Sequence, residues 1–353
     1  MTSDIPYICV STKDGESTRQ RLMDLGLLNP DYRILSEDNQ LFFPLKGDIE
    51  VVKLMPELDT IDFSTGVREF PQSHIGPKSL REALESNLNE EQLELLPRAY
   101  DLIGDIAVLE IPDEISEYRT KIADAFLEIH PNFTTVLGKM GAISGTLRTR
   151  EYELLAGVDK TATIHTEYGC RISVDISKAY FSPRLLEEHN RVAKQVVEGE
   201  TVVDMFTGVG PFALHIARRI NAKVIAVDIN PTAIDLLKQS IKMNKLQGSI
   251  TPIVSHIQEY ASTAPAGSID RVIMNHPSGA CDFIHTACHL LRKDGTMHYY
   301  DFMGGEDPEQ SLSGKLSLLV KEAGRTVSEI LLIRRVRDSA PYEYHMVIDA
   351  IIH

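Results

Sequence analysis

From Thr201 onward the chain alternates between two spacings of apolar residues. Short apolar runs at 201–205, 223–228, 250–255, 269–275 and 295–301 read as strands. Between and after them, apolar residues recur every three or four positions at about 211–219, 231–244, 280–291 and 309–323, which reads as amphipathic helices. Regular strand–helix alternation predicts a parallel sheet covered on both faces. The end of the chain differs. "VSEILLIRRV" and "YHMVIDAII" are strand-like, lie either side of Ala340-Pro341 and have no helix between them, so they predict a terminal antiparallel pair. A dinucleotide-binding sheet more often ends on a sixth parallel strand, so this ending favours a different nucleotide-binding fold.

The N-terminal pattern is separate. "YICVST", a helix near 15–25 and "YRILSEDNQLFFPL" suggest a small α/β module over 1–66. Helical stretches ("SLREALESNL", "EISEYRTKIADAFLEI") and strands ("DIAVLEIP", "TTVLGKM") then suggest an α+β domain over 67–168, followed by the alternating region, 169–353. The 353 residues carry 43% hydrophobic and 25% charged residues, as in an ordinary globular protein. No apolar run reaches the roughly 20 residues of a membrane span, the N-terminus lacks a signal-peptide core, and four scattered cysteines fit a reducing compartment. A cytoplasmic protein with no membrane association and no obligatory protein partner is expected. The net charge of −15 argues against a polyanionic partner, but charge acts locally. Residues 134–195 hold nine Lys and Arg against seven Asp and Glu, a basic island in an acidic chain that permits an RNA partner.

"VVDMFTGVGPFALHIARR" (202–219) is a strand, a glycine turn and a helix, the arrangement that presents a ligand to a helix N-terminus. Gly208-x-Gly210-x-x-Ala213 by itself would pass for a dinucleotide fingerprint. Three features decide otherwise. Asp204, four residues before Gly208, suits a ligand with an ammonium group and would repel a pyrophosphate. Asp228, at the end of the next strand, can accept both hydroxyls of a ribose. "MNHPSGA" (274–280) places Asn275 and Pro277 at a strand's carboxyl end, an element suited to holding the edge of a planar acceptor. Together they favour S-adenosylmethionine over NAD.

"YFSPRLLEEHNR" (180–191), "DMFTGVGPF", "VDINP" and "MNHP", in this order, resemble the archaeal and eukaryotic tRNA (guanine-37-N1)-methyltransferases. The N-terminal "GESTRQRLMDLGLLNPDYRI…LFFPL" is similar to that family's first domain, so the likeness spans nearly the whole chain. The resemblance implies an α/β, Rossmann-like class I methyltransferase domain preceded by an α+β domain and a small N-terminal tRNA-binding domain. It implies methyl transfer from S-adenosyl-L-methionine to N1 of guanosine 37, with tRNA bound at its anticodon loop and outer corner. The catalytic positions fall on Glu188 as general base, Arg148 near the guanine O6, and Tyr180 and Asn275 beside cofactor and target base. Cofactor contacts fall on Asp204, Phe206, Gly208, Gly210, Asp228, Ile229, His256, Asn275 and Pro277. tRNA contacts fall on Arg184, His189, Arg150 and Lys178. Histidines at 189, 256 and 276 depart from the pattern, which has a basic residue, often an Asp, and a leucine there.

The chemistry calls for such groups. Guanine N1 becomes a nucleophile as its proton leaves and charge gathers on O6, so a base on one side and a cation at O6 on the other are both needed. Glu187, the neighbouring carboxylate, is the rival base. Further basic candidates for phosphate contacts are Lys160, Arg171 and Arg191. No metal is required; Cys281, His285 and Cys288, at helical spacing, read as the buried face of a helix. The alternatives are a wyosine-pathway relative transferring an aminocarboxypropyl group, against which Pro211 in "GVGPF" counts, a methyltransferase acting also on the tricyclic base, and an inactive tRNA-binding homologue.

Overall fold

The computed structural model describes residues 2–47, 61–73, 76–144, 149–340 and 342–353. The chain forms two compact units, Met1–Ala83 and Leu84–His353.

In the first unit, β1 (Thr2–Ser11) leads into α1 (Gly15–Asp24), then β2 (Leu35–Glu37), β3 (Gln40–Pro44) and β4 (Phe63–Pro71). The sheet order is β2-β3-β1-β4, with β1 antiparallel to both of its neighbours. Ile8, Val10, Leu22, Phe43 and Leu45 close the core between sheet and helix. A boundary at 66 would cut β4, whose pairing with β1 runs on to Pro71. The expected 1–66 module is therefore too short, because a strand's ladder is not visible in its own residues.

The short helix α2 (Leu80–Leu84) carries the chain into the second unit, followed by α3 (Glu90–Glu94). A four-stranded sheet then forms from β5 (Asp101–Ile103), β6 (Ile106–Leu109), β7 (Thr135–Ser144) and β8 (Thr149–Gly157), with α4 (Arg119–Ile129) against it. The hairpin β9 (Ala162–Glu167) and β10 (Cys170–Asp175) turns at Tyr168-Gly169, so the expected 168/169 boundary splits one hairpin. The core shows why no boundary falls there. Ile103, Ile106, Val108, Leu137, Ile172 and Val174 share one apolar cluster with Val192, Phe212 and Leu237 of the region that follows.

That region is α5 (Leu186–Gln195), β11 (Thr201–Asp204), α6 (Pro211–Arg219), β12 (Lys223–Asp228), α7 (Pro231–Met243), β13 (Ser249–Val254), α8 (Ile257–Thr263), β14 (Ile269–Met274), α9 (Ile284–Leu290), β15 (Leu291–Gly304), α10 (Pro308–Glu322), β16 (Val327–Ala340) and β17 (Glu343–Ile352). The seven strands lie in the order β13-β12-β11-β14-β15-β17-β16. The first five are parallel; β17 inserts antiparallel between β15 and β16. Buried residues of α5, α6 and α7 cover one face of the sheet, and those of α8, α9 and α10 the other. The strand order reverses between β11 and β14, and ligands of open α/β sheets sit at that reversal, beyond the strands' carboxyl ends. Asp204, Asp228, Val254 and Met274 all end there.

Candidate active site

The glycine turn after β11 is built by backbone geometry. Gly208 and Gly210 both have positive φ, 54° and 81°, where side chains are strained. Pro211 opens α6 at a position whose N–H has no helical partner anyway. Asp228 ties the turn to the neighbouring strand: its Oδ2 accepts from the Gly208 N–H at 2.7 Å and its Oδ1 from the Asn230 N–H at 2.8 Å. Burial raises its pKa against those backbone bonds. Each oxygen keeps a second lone pair for a ribose hydroxyl.

Above this turn lies a cleft lined by Tyr180, Phe206, Gly208, Asp228, Ile229, His256, Asn275 and Pro277, all expected site residues. Asn275 Oδ1 is buried and has no hydrogen-bond partner among the described residues. Phe206 packs edge-on against Phe283 at 5.1 Å and near His276 at 5.0 Å. His256 stands 5.6 Å from Phe283. The histidines at 256 and 276 thus complete an aromatic wall with Phe206 and Phe283.

A second, more polar basin adjoins the cleft. Tyr180 and Arg337 line both, and Lys139, Arg150 and Arg184 line the basin alone. Asp101 bridges two of these cations, accepting from Arg184 Nε at 2.6 Å and lying 3.1 Å from Lys139 Nζ. Arg150 Nε is buried and has no hydrogen-bond partner among the described residues.

The remaining expected residues fall elsewhere. Asp204 lies fully buried beneath the turn, its Oδ2 accepting from Thr207 Oγ1 at 2.7 Å and its Oδ1 unpartnered. Burial, with the nearby Asp228 adding, pushes its carboxyl up to about 7. Gly210 does not line the cleft; a Cβ there would come 2.3 Å from Leu237 Cδ1, so this glycine serves the packing of α6 on α7. Lys178 is exposed, pairs with Asp175 at 3.1 Å and lines neither cavity. His189 is a correction: it is 1% exposed and its Nδ1 lies 2.8 Å from Glu167 Oε2, which rules out an RNA contact. One helical position past Glu188, it turns towards β9 and α6. Arg191 is likewise no phosphate ligand, being held between Glu188 and Asp349. Arg148 lies outside the described residues.

Glu188 is 1% exposed and lines neither cavity. Its carboxylate accepts from Arg191 Nη2 at 2.6 Å, from Tyr300 Oη at 2.6 Å and from Arg334. Burial opposes its ionisation, but Arg191, Tyr300 and Arg334 outweigh it and hold the pKa below the ordinary value. Glu187 faces outward to Tyr168 Oη, which separates the two carboxylates. Arg334 pairs with Val347 and Arg337 with His345 across the β16–β17 ladder, on either side of a bulge that keeps both arginines on the face carrying Val347. Cross-strand contacts of this kind leave no local signal. Only Arg191, three residues after Glu188 on one helix, was open to sequence reading.

Of the expected Cys–His cluster only Cys288 is buried; His285 is exposed, and the 3₁₀ turn Ala280–Phe283 removes Cys281 from the helix.

A family model described as the TRM5/TYW2 methyltransferase domain matches residues 163–327. The TYW2 N-terminal domain model matches 80–161 and the tRNA methyltransferase 5 N-terminal domain model 8–53. The chain is 38% identical over 340 residues to the tRNA (guanine(37)-N(1))-methyltransferase Trm5b of Pyrococcus abyssi, covering 96% of this chain and 97% of that one. It superposes with a TM-score of 0.69 and 36% identity on a Trm5 chain solved in complex with tRNALeu, over 98% of this chain and 99% of the other. Against Pyrococcus horikoshii TYW2 solved with MeSAdo, the TM-score is 0.64 at 30% identity, over 77% of this chain and 97% of that one. With its three segments matched in order and this identity along nearly its whole length, the chain belongs to the TRM5/TYW2 methyltransferase family.

Proposed function

We infer that this chain is a tRNA (guanine-37-N1)-methyltransferase that uses S-adenosyl-L-methionine. The observation that carries the reading is the pair of adjoining cavities sharing Tyr180 and Arg337: an aromatic-walled cleft at the sheet's reversal and a cationic basin beside it. The match to the N-terminal domain of tRNA methyltransferase 5 favours this activity over the shorter TYW2 relative's.

The cleft fits the cofactor. Asp228 would accept from the ribose, Phe206, Ile229 and His256 would flank the adenine, and the orphan oxygen of Asn275 would accept from an amino group. When bound, the cofactor supplies a methyl group already activated by its sulfonium. Guanosine 37 must leave its stack to reach Tyr180, as bases do in enzymes that modify them. Arg150 and Arg184 of the basin would take phosphates. We assign the N1 proton to Glu188, which two arginines keep ionised. Arg334 is the most exposed of its partners at 37%, so RNA phosphates can compete for it and uncover the carboxylate. Arg148 keeps its assignment at O6 as part of this proposal. The compartment we propose is the cytoplasm, where the four free cysteines stay reduced; among the described residues no helix is long and apolar enough to cross a membrane.

Mass spectrometry of tRNA nucleosides after incubation with the protein and S-adenosylmethionine tests the reading. One 1-methylguanosine per tRNA is expected, absent when position 37 is changed to adenosine. An aminocarboxypropyl product, or methylation confined to the tricyclic base, would replace the proposed reaction.

A further inference from the structure

Glu167, the last residue of β9, is 1% exposed, and among the described residues its polar partners are all imidazoles. His189 Nδ1, from α5, lies 2.8 Å from its Oε2; His215 Nε2, from α6, lies 3.1 Å from the same oxygen. His189 is 1% exposed and His215 4%. The three donor atoms lie within 4.8 Å of one another. Glu167 Oε1 accepts no hydrogen bond, although it is buried. His165 Nε2 lies 3.8 Å from it.

This is an anion enclosed without a fixed cation. A lysine or arginine would compensate the buried carboxylate permanently, whereas the groups gathered here are imidazoles. Two neutral imidazoles and a carboxylate are the donors that zinc takes in many protein sites. His165 acts from outside: its Nδ1 accepts the Gly104 N–H at 3.0 Å, which leaves its proton on Nε2, the nitrogen nearest Glu167 Oε1. Two ligand atoms on a tetrahedral zinc, each about 2.05 Å from it, stand about 3.3 Å apart. The two oxygen–nitrogen separations, 2.8 and 3.1 Å, are a few tenths of an ångström shorter than that.

We propose that Glu167, His189 and His215 bind a divalent transition-metal ion of the zinc class at a structural site that fastens β9 to α5 and α6. Two nitrogens and one or both carboxylate oxygens provide the ligands. The site is separate from both cavities, and it sits on the helix that also carries Glu188.

Cobalt(II) is the probe. The full-length protein is stripped with a chelator, dialysed and titrated with Co²⁺, with visible absorption, metal content and thermal unfolding as readouts. One equivalent bound, with the intense visible bands of a four-coordinate nitrogen–oxygen site, no thiolate charge-transfer band and displacement by Zn²⁺, is expected, together with a raised unfolding temperature. Glu167→Gln and His215→Asn should each abolish stoichiometric uptake, while circular dichroism and S-adenosylmethionine binding report whether they still fold. Cys281→Ser/Cys288→Ser should bind as the wild type does. Absence of stoichiometric uptake by the wild-type protein would overturn the proposal, as would thiolate bands or bands that persist in folded Glu167→Gln.

Discussion

Asp204 shows how one buried side chain can make folding sense pH. Its carboxyl titrates at about 7 in the folded chain, raised by burial and by Asp228, against about 3.9 when unfolded. Between those values the folded state holds more protons, so this group's contribution to stability falls as pH rises from about 4 to about 7. Asp204→Asn should flatten that fall; chemical denaturation at about pH 4.5 and about pH 7.5 checks it, and a variant with the wild-type profile would show that Asp204 does not titrate in this range. For Glu188, the variant Glu188→Gln keeps size and hydrogen bonding but removes basicity. Single-turnover methyl transfer should slow by roughly 10²–10⁴-fold, with partial recovery at high pH where hydroxide can take the proton. Glu187→Gln, on the outer face beside Tyr168, should retain the wild-type rate. Equal rates for Glu188→Gln and wild type would move the base to another group, and not to His189, which Glu167 and Phe212 enclose.

At the scale of elements, the turn between β11 and α6 separates two uses of glycine that look identical in sequence. A Cβ on Gly208 would meet nothing nearer than the Tyr180 carbonyl oxygen at 3.4 Å, so Gly208→Ala bears mainly the left-handed backbone cost, about 1–2 kcal/mol. At Gly210 the same backbone cost is joined by a contact of 2.3 Å with Leu237, and overpacking adds typically about 1–3 kcal/mol. Chemical denaturation should therefore show Gly210→Ala the less stable of the two. Gly208→Ala should instead show the larger loss of cofactor affinity, because Gly208 lines the cleft. The reverse order would mean that the turn relaxes around Leu237. The strands and helices of this region were legible because apolar spacing records which face each element buries. The helix Ile257–Thr263 escaped, being seven residues long, as did the place of β17 between β15 and β16. Strand order depends on which edges meet, and both terminal strands carry the same kind of apolar run.

For the molecule as a whole, net charge and partner pull in opposite directions. The chain carries −15, while the basin gathers Lys139, Arg150, Arg184 and Arg337. tRNA binding should weaken with salt on a shallow slope, because few phosphates can be neutralised. A slope like that of a strongly basic protein would contradict a local basin. Removing Met1–Ala83, a unit with its own core, should leave cofactor binding intact and weaken tRNA binding; cutting at 66 instead would break the β1–β4 ladder. The sequence by itself determined the alternating fold, the glycine turn, Asp228 and Asn275 at strand ends, and the family, because each is written in neighbouring residues whose spacing the backbone imposes. Only the tertiary structure decided that Glu188 sits behind Tyr300 between Arg191 and Arg334, that His189 belongs to Glu167 and His215, and that Arg337 joins the two cavities. Apart from the helical neighbours Glu188 and Arg191, those contacts span 22 to 146 residues of chain, or arise where separate strands close on one another. A side chain's partners across such distances are chosen by how the elements pack, and local sequence holds no record of that choice.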